Sequence, residues 1–186
     1  VVGDPLGGRF VTRLGGSYTN QDRSNRSPNA VGILGRPTEN LGERVKLDWR
    51  GDFEIAKGHL LIGGLSWERE RLETTSLTAS NGNRAAYLEY QGNVADRFFL
   101  AANIRHDHDD SYGGHTTYRI APAYIIPGTE TKLKASYGTG FKAPTLAELF
   151  IDYRPGSNFF GNPNLKPEES RGWDIGFEQP LFDKRL

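Results

Sequence analysis

The chain has 186 residues with no Cys and no Met, and its 23 Lys and Arg residues balance its 23 Asp and Glu residues. This length suits one domain, and the balanced charge provides no global basic field that would attract nucleic acid. The absence of Cys excludes disulfides, thiol catalysis and zinc–thiolate sites. No segment approaches the roughly 18 consecutive apolar residues of a membrane helix, so a β-barrel is the only membrane-spanning option.

Alternation of apolar and polar side chains predicts β-strands along the whole chain. In residues 44–55 every even position is charged, whereas the odd positions are Val, Leu, Trp, Gly, Phe and Ile. At about 3.3 Å per residue this segment spans roughly 40 Å, enough to cross a bilayer core at a steep tilt. The same period of two predicts eight strands, at residues 9–20, 44–55, 59–73, 84–93, 97–107, 116–126, 131–140 and 169–178.

The connections between these strands are predicted to alternate in length. Those with the composition of long polar loops are residues 21–42, 74–83, 108–115 and 141–168, and those with the composition of tight turns are 56–58, 94–96 and 127–130. Outer-membrane barrels have short periplasmic turns and long extracellular loops, with apolar side chains outside and polar ones inside. We therefore predict an all-β chain of antiparallel, up-and-down transmembrane β-barrel strands. A soluble β-sandwich binding module, which would bury the apolar face, is an alternative.

Large aromatic side chains mark both ends of the predicted strands. Those towards the long loops are Tyr18, Trp67, Tyr118, Tyr137 and Trp173, and those towards the short turns are Phe53, Tyr124 and Phe177. Two such bands are typical of a membrane barrel, in which aromatic rings lie at both interfaces. Aromatic residues that fill an ordinary β core would give a similar composition, and this second interpretation stays open.

Residues 137–168 contain a strand end, a long loop and the approach to the last strand. They include YGTGFKAPTLAELF and GNPNLKPEES, and a strand with Trp173 follows. This segment resembles the late-barrel signature of TonB-dependent outer-membrane receptors, with its Gly-x-x-Phe-Arg/Lys-Ala-Pro, Glu-Leu-aromatic and Gly-Asn-Pro-x-Leu-x-Pro-Glu elements. The matching positions are Gly138, Phe141, Lys142, Ala143, Pro144, Glu148, Leu149, Phe150, Gly161, Asn162, Pro163, Leu165, Pro167 and Glu168. The resemblance extends over residues 84–182, whereas the first eighty residues fit by alternation only.

The resemblance implies a bacterial outer-membrane protein for energised uptake of a large, scarce ligand, cobalamin or a ferric siderophore. The wording of the signature looks closest to vitamin B12-type receptors. In such receptors the ligand binds extracellular loops and a plug, and the energy-coupling protein TonB pulls on the plug. The function implied is transport and not enzymatic catalysis, without a cofactor.

Family barrels have 22 strands around a plug, so the resemblance also implies that residues 1–186 are part of one barrel domain, with the plug domain absent. The opening Val and the lack of Met likewise lead us to expect a piece of a longer product. The two outermost strands of such a piece are expected to pair with another copy or with foreign strands.

Most residues of the signature have a structural interpretation. Pro144 should end its strand, and Thr145 with Glu148 predicts a capping box for a short helix over residues 146–150. Asn162-Pro163 and Lys166-Pro167 should stiffen the return to the last strand. Ligand contact is expected in the less patterned part of the loop, where aromatic faces and donors combine at Tyr153, Arg154, Asn158 and Phe159.

The run His106-Asp107-His108-Asp109-Asp110 has the residue types of a metal site. Neighbouring residues of a strand point to opposite faces, so this spacing is poor for shared coordination, and we predict no metal centre. Binding of Ca²⁺ by the Asp-rich loop stays open. The sequence contains no Ser-His-Asp ordering and no glycine-rich phosphate loop, so it offers no candidate catalytic residues.

A second membrane architecture also fits the strand count. A self-contained barrel of eight strands, with a structural or adhesion role, would suit 186 residues. A closed ladder between residues 9–20 and 169–178 would favour it.

Overall fold

The structure, a computed structural model, describes residues 2–3, 8–25, 38–75, 77–151 and 160–181. Within these ranges one antiparallel sheet contains nine strands in chain order, each paired with the next. The elements are β1 (Val2–Gly3), β2 (Phe10–Asn25), β3 (Thr38–Ala56), β4 (His59–Thr74), β5 (Thr78–Val94), β6 (Phe98–Asp109), β7 (Gly113–Ile125), β8 (Lys132–Lys142), α1 (Leu146–Phe150) and β9 (Glu168–Glu178). This confirms the predicted all-β, up-and-down architecture.

The sheet has two distinct ends, which we call the loop end and the turn end. At the turn end the strands are joined through residues 57–58, 95–97 and 126–131. Ala95 and Asp96 both have φ of 53° there. Two consecutive positive φ values give the turn a twist that matches that of paired strands. The loop end carries the connections 26–37, 75–77, 110–112 and 143–167, and therefore the signature loop.

Apolar side chains share one face across neighbouring strands. In register, Leu14 lies opposite Trp49, which lies opposite Leu65. These three side chains are 58%, 36% and 56% exposed. The apolar residues that are buried within the described ranges are few: Ile62, Ala85, Leu146, Leu149 and Ile151. A β-sandwich would bury the apolar face, so its exposure favours a sheet surrounded by lipid.

The predicted aromatic bands lie on this outward face. Tyr18 and Trp173 are 62% and 71% exposed near the loop end, and Tyr124 and Phe177 are 42% and 72% exposed near the turn end. Phe53 and Tyr137 share the outward parity of their strands but are less exposed. Rings in two bands at the strand ends are typical of a barrel with two membrane interfaces.

The opposite face, which we call the lumen face, is lined by charged side chains that pair along one strand or with the neighbouring strand. Asp52 accepts from Arg50 Nε at 2.6 Å and also bonds Arg13. Asp107 accepts from Arg105 Nη2 at 2.7 Å, and Lys134 pairs with Glu178. Lipid could not accommodate this density of charge, because one Lys or Arg near the bilayer midplane costs about 2–4 kcal/mol. The mixed-charge face therefore lines a hydrated or plugged interior.

Several strands extend further towards the loop end than predicted. The predicted loops at residues 21–42, 74–83 and 108–115 are partly wrong, because β2 continues to Asn25, β3 begins at Thr38 and β5 begins at Thr78. The connections 75–77 and 110–112 are consequently short. These extensions are polar on both faces, so period-two alternation cannot detect them. The strict alternation of long and short connections does not hold.

The outermost strands of the described sheet are β1, which pairs only with β2, and β9, which pairs only with β8. The pairings found between described residues include none that joins β9 to β1 or β2. The closed ladder that would favour a self-contained eight-stranded barrel is thus not seen in this part of the chain. None of the helical residues described belongs to a segment long and apolar enough to cross a membrane.

The assignment of faces predicts how two neighbouring substitutions on β5 will differ. Leu88 lies on the outward face and is 48% exposed, whereas Gln91 is exposed on the lumen face. In the full-length protein folded into lipid vesicles, Leu88→Arg should lower the free energy of unfolding by about 2–4 kcal/mol. Gln91→Arg should change it by less than about 0.5 kcal/mol. Urea titration measures both, and equal losses would refute the assignment.

Candidate ligand site at the loop end

The signature loop begins with a capped helix. Thr145 Oγ1 accepts from the Glu148 backbone N–H at 3.2 Å, and Glu148 Oε2 accepts from the Thr145 backbone N–H at 2.8 Å. This is the predicted capping box at the start of α1. The two hydrogen bonds satisfy helix donors that would otherwise be unpaired, so five residues suffice for a helical turn in this loop.

The end of the helix is held by the Gly-Asn part of the signature. Gly161 donates its backbone N–H to Ile151 O at 2.7 Å, and Asn162 donates to Glu148 O at 2.9 Å. A Cβ on Gly161 would lie 2.7 Å from the Leu149 carbonyl, so this position accepts no side chain without a backbone shift. The conformation requires Gly here because two backbone segments approach closely. As a result, the chain leaves at Ile151 and returns at Gly161 to the same point.

The helix packs against the lumen face of the sheet and not against lipid. Leu146, Leu149 and Ile151 are 7%, 2% and 8% exposed, and α1 contacts β5. Ala143 and Pro144 line the same interior space as Asn81 and Asn83 of β5. The loop therefore covers part of the lumen face near the loop end.

A polar cavity of about 230 Å³ lies between the loop and the lumen face. The residues that line it are Arg44, Glu68, Glu70, Asn81, Asn83, Asp109, Tyr112, Ala143, Pro144 and Thr145. Arg44 Nε donates to Glu70 Oε1 at 2.6 Å and lies 3.3 Å from Glu68 Oε1. A second space of about 430 Å³ adjoins Arg44, Glu70, Thr145 and Leu146. Together they present both donors and acceptors to a polar ligand.

Two buried carboxylates lie on the lumen face here, and one of them, Asp109, lines this cavity. Asp107 and Asp109 are each 3% exposed. Asp109 accepts from Asn81 Nδ2 at 2.8 Å, and Asp107 accepts from Asn83 Nδ2 at 3.1 Å and from Arg105. These partners satisfy the carboxylates without a metal ion, and no group of three or more His, Cys, Asp or Glu suited to a metal occurs among the described residues.

Aromatic rings pack together at the loop end of β7 and β8, beyond the last backbone pair of these strands, Arg119 with Gly138. The His115 and Phe141 rings are 5.0 Å apart, and Tyr112 lies 5.5 Å from His115 and 6.1 Å from Phe141. Burial, followed by the negative charges of Asp109 and Asp107, raises the pKa of Tyr112 well above that of an ordinary tyrosine. Tyr112 therefore stays a neutral phenol that can donate a hydrogen bond at the cavity wall.

The sequence located some parts of this site and missed others. The predicted ligand residues Tyr153, Arg154, Asn158 and Phe159 lie outside the described residues. Signature residues with a visible role include Glu148, Leu149, Asn162 and also Lys142, whose Nζ lies 3.5 Å from Glu168. The residues missed were Arg44, Glu68, Glu70, Asn81, Asn83 and Tyr112, whereas Asp109 was singled out only as part of a metal-type run. Extending the inward parity of β5 from Ala85 back to Asn83 and Asn81 would have found two of them.

Comparison with known proteins decides the family. The family model described as "TonB dependent receptor-like, beta-barrel" matches residues 4–186. The chain belongs to the TonB-dependent receptor family. The resemblance noted in residues 84–182 is therefore confirmed and extends over almost the whole chain, including the first eighty residues. The structure places this receptor signature in a loop that folds into the barrel interior.

Two relatives of this receptor chain have names that state a ligand. It is 40% identical over 136 residues to "Vitamin B12 transporter BtuB" of Photobacterium profundum, covering 72% of the chain and 21% of that protein. It is 31% identical over 179 residues to the protein of the same name from Vibrio vulnificus, covering 89% of the chain and 27% of that protein. The chain thus spans about a quarter of the length of these relatives.

A solved receptor structure shows the same fold. The ferric enterobactin receptor PfeA of Pseudomonas aeruginosa, as a G324V mutant, superposes with a TM-score of 0.77 at 19% identity. The match covers 96% of this chain and 31% of that one. At this identity the agreement concerns the backbone architecture alone, and it supports the assignment of the nine strands to a receptor barrel.

The close approach at Gly161 leads to a prediction about the receptor loop. Gly161→Ala should cost about 1–3 kcal/mol of local stability, because its Cβ overlaps the Leu149 carbonyl. Hydrogen-exchange protection of the Leu149 and Ile151 amides should fall by a factor of about 5 to about 150. Gly172→Ala is the matched control, since a Cβ there meets nothing within 4 Å. Unchanged protection in Gly161→Ala would show that the loop accommodates the side chain.

The capping box leads to a second prediction, on pH. Hydrogen bonds from the Thr145 backbone N–H and hydroxyl lower the pKa of Glu148. A carboxylate with a lowered pKa stabilises the fold at neutral pH, and this contribution is lost as the pH falls through that pKa. Protection factors of the Leu149 amide should therefore decrease between about pH 6 and about pH 3. Glu148→Gln should remove this dependence, and a Gln variant that follows the wild-type profile would exclude Glu148 as its source.

Proposed function

We propose that the chain forms part of the barrel wall of an outer-membrane receptor for TonB-dependent uptake of cobalamin. Two relatives at 40% and 31% identity, both named vitamin B12 transporters, support the ligand class. The observation that carries the proposal is the signature loop folded over a polar cavity on the lumen face. A ferric siderophore is the second candidate, favoured by the shared backbone of the enterobactin receptor.

The ligand residues of this proposal are Tyr153, Arg154, Asn158 and Phe159. They belong to the segment that leaves the described fold at Ile151 and rejoins it near Gly161, and the two flanking residues are hydrogen-bonded at 2.7 Å. Ile151 is buried at the end of α1, and the start of this helix lines the lumen cavities at Thr145 and Leu146. The aromatic faces and donors that these residue types provide suit a large ligand with apolar and amide-bearing surfaces, as cobalamin has.

The wider assignments belong to the same proposal. Residues 1–186 are part of one transmembrane barrel domain, and the plug on which TonB acts lies in another part of the receptor. Lipid contacts the outward apolar face, and the outermost strands pair with further strands of the barrel or, in an isolated fragment, with another copy. The proposed location is the bacterial outer membrane. The proposed activity is ligand binding and transport, and the proposal includes no catalytic residue.

Ligand binding to whole cells tests the proposal. Cells that lack other receptors and express the full-length protein should bind radiolabelled cyanocobalamin saturably and should not bind ferric enterobactin. Arg154→Ala should weaken cobalamin binding about tenfold, the value of one charge-assisted hydrogen bond. Lys57→Ala, at the turn end, is the control and should bind normally.

The two ligand classes give opposite outcomes. Saturable binding of ferric enterobactin without cobalamin binding would replace the first candidate by the second. Binding of neither ligand by a receptor that is correctly folded in the membrane would refute both. Uptake, in contrast to binding, should disappear when TonB is deleted, and uptake that persists without TonB would refute energised transport.

A further inference from the structure

Four basic side chains lie together on the outward face of β4, β5 and β6, and we call them the outward basic cluster: Arg69, Arg84, His106 and His108. Arg84 lies directly opposite His108, and His106 lies opposite Ala86 in the next outward row. Arg69 is opposite Gly82, diagonal to Arg84 across the β4–β5 pair. Directly opposed side chains on one face have Cβ atoms about 5 Å apart and diagonal ones about 7–8 Å. All four are exposed.

The cluster lies where the outward face leaves the membrane. Arg84 is opposite Trp67 of the loop-end aromatic band. Residues that are paired from strand to strand form rows across the sheet. The row Gly63, Leu88, Ile104, Tyr118 begins below the aromatic band on β4 and reaches the band on β7. Each row therefore lies nearer the loop end on β7 than on β4. Arg84 and His108 therefore sit at or above the level of the band. Head groups occupy this level, and anionic groups there would meet the cluster.

An outward groove of about 520 Å³ leads from the apolar surface to the cluster. Its apolar walls belong to β2, β3, β4 and β5, and Arg84 and His106 line it as well; the apolar members are Leu14, Leu47, Trp49, Leu65, Trp67 and Ala86. Because the rows climb towards β6, the apolar part lies deeper in the membrane than the basic part. The apolar walls can contact an acyl chain, and the basic side chains nearer the loop end can contact a head group. This arrangement matches a lipid with a negatively charged head group.

The positive charge of the cluster is not neutralised by ion pairs among the described residues. Arg71 pairs with Glu73 at 2.9 Å, but no salt bridge or side-chain hydrogen bond involves Arg69 or Arg84 in this part of the chain. Two acidic side chains on this face lie beside the cluster: Asp110, whose carboxylate lies over Gly82, and Glu43, which lines one space with Arg69. Neither forms a salt bridge with a member of the cluster among the described residues. His106 is oriented by its Nδ1, which lies 2.8 Å from Thr116 Oγ1, and its ring edge passes over Gly114. Its Nε2 stays on the outward side.

We propose that this surface binds a phosphate-bearing lipid of the surrounding leaflet. Its acyl chain lies in the groove between Trp49 and Trp67, and its phosphate contacts Arg84 and His108, with Arg69 and His106 beside them. Guanidinium is well matched to phosphate because its donors form a planar fork. The site lies on the opposite face of the sheet from the ligand cavity, so it does not depend on which cargo the receptor carries.

Native mass spectrometry of the full-length protein in non-ionic detergent tests the proposal. The probes are lipid A with two phosphates and the same lipid after enzymatic removal of its phosphates. Wild-type protein should bind the phosphorylated lipid about tenfold more tightly, as expected for a charge-assisted contact. Arg84→Gln with His108→Gln should abolish this preference. Arg171→Gln, an exposed outward Arg on β9 away from the groove, should retain it.

The groove has its own variant. Ala86→Trp should fill the space beside Trp67 and weaken binding of both lipids, while heat-modifiable migration on gels shows that the barrel is folded. Equal affinity of wild type for the two lipids would overturn the proposal, as would an equal loss in Arg171→Gln. Displacement of the lipid by millimolar inorganic phosphate alone would also overturn it, because the surface would then be an anion site without lipid selectivity. If the Arg84 and His108 variant fails to fold, the two lipids on wild type and Ala86→Trp decide the question.

Discussion

Hydrogen bonding between neighbouring strands is the interaction on which this structure depends. A backbone group in hydrocarbon has no water as an alternative partner, so every spanning strand must be paired along its length. Within the described sheet the ladders meet this requirement in chain order, each strand pairing with the next, except along the outer edges of β1 and β9, which have no partner strand in this part of the chain. Because pairing fixes the pleat, it also assigns each side chain to lipid or lumen. A shift of one residue would exchange the two faces, so register and patterning stabilise each other.

The predictable parts of the fold are those in which one face contacts lipid, because this contact requires apolar residues at every second position. From Val45 to Phe53 the outward positions are apolar or Gly and the inward ones are charged, and β3 was found there. Thr78 to Asn83 is equally well paired in β5, yet both of its faces are polar, and the segment looked like a loop. Where water contacts both faces, pairing with an existing neighbour is enough to extend a strand, and the extending sequence needs no apolar period.

The same distinction applies to the site. The helix α1 was predictable because its capping box is local, with Thr145 and Glu148 three residues apart. The cavity wall was not, because Asn81 meets Asp109 across 28 positions, and Arg44 meets Glu70 across 26. Such contacts depend on the register of adjacent strands, and register follows only once the strand ends are known. Local chemistry therefore identified the loop, and long-range pairing supplied the wall that it covers.

The run from His106 to Asp110 illustrates how a barrel wall separates neighbouring residues. Asp107 and Asp109 are buried and hydrogen-bonded on the lumen face, where Asp109 lines the polar cavity. His106 and His108 are exposed on the outward face. The run that resembles one metal site is therefore divided between the two faces of the sheet, with its aspartates on the lumen face and its histidines on the outward face. In a one-layer sheet, residues two apart share an environment and adjacent residues do not, so functional groups must be collected across strands and not along the chain.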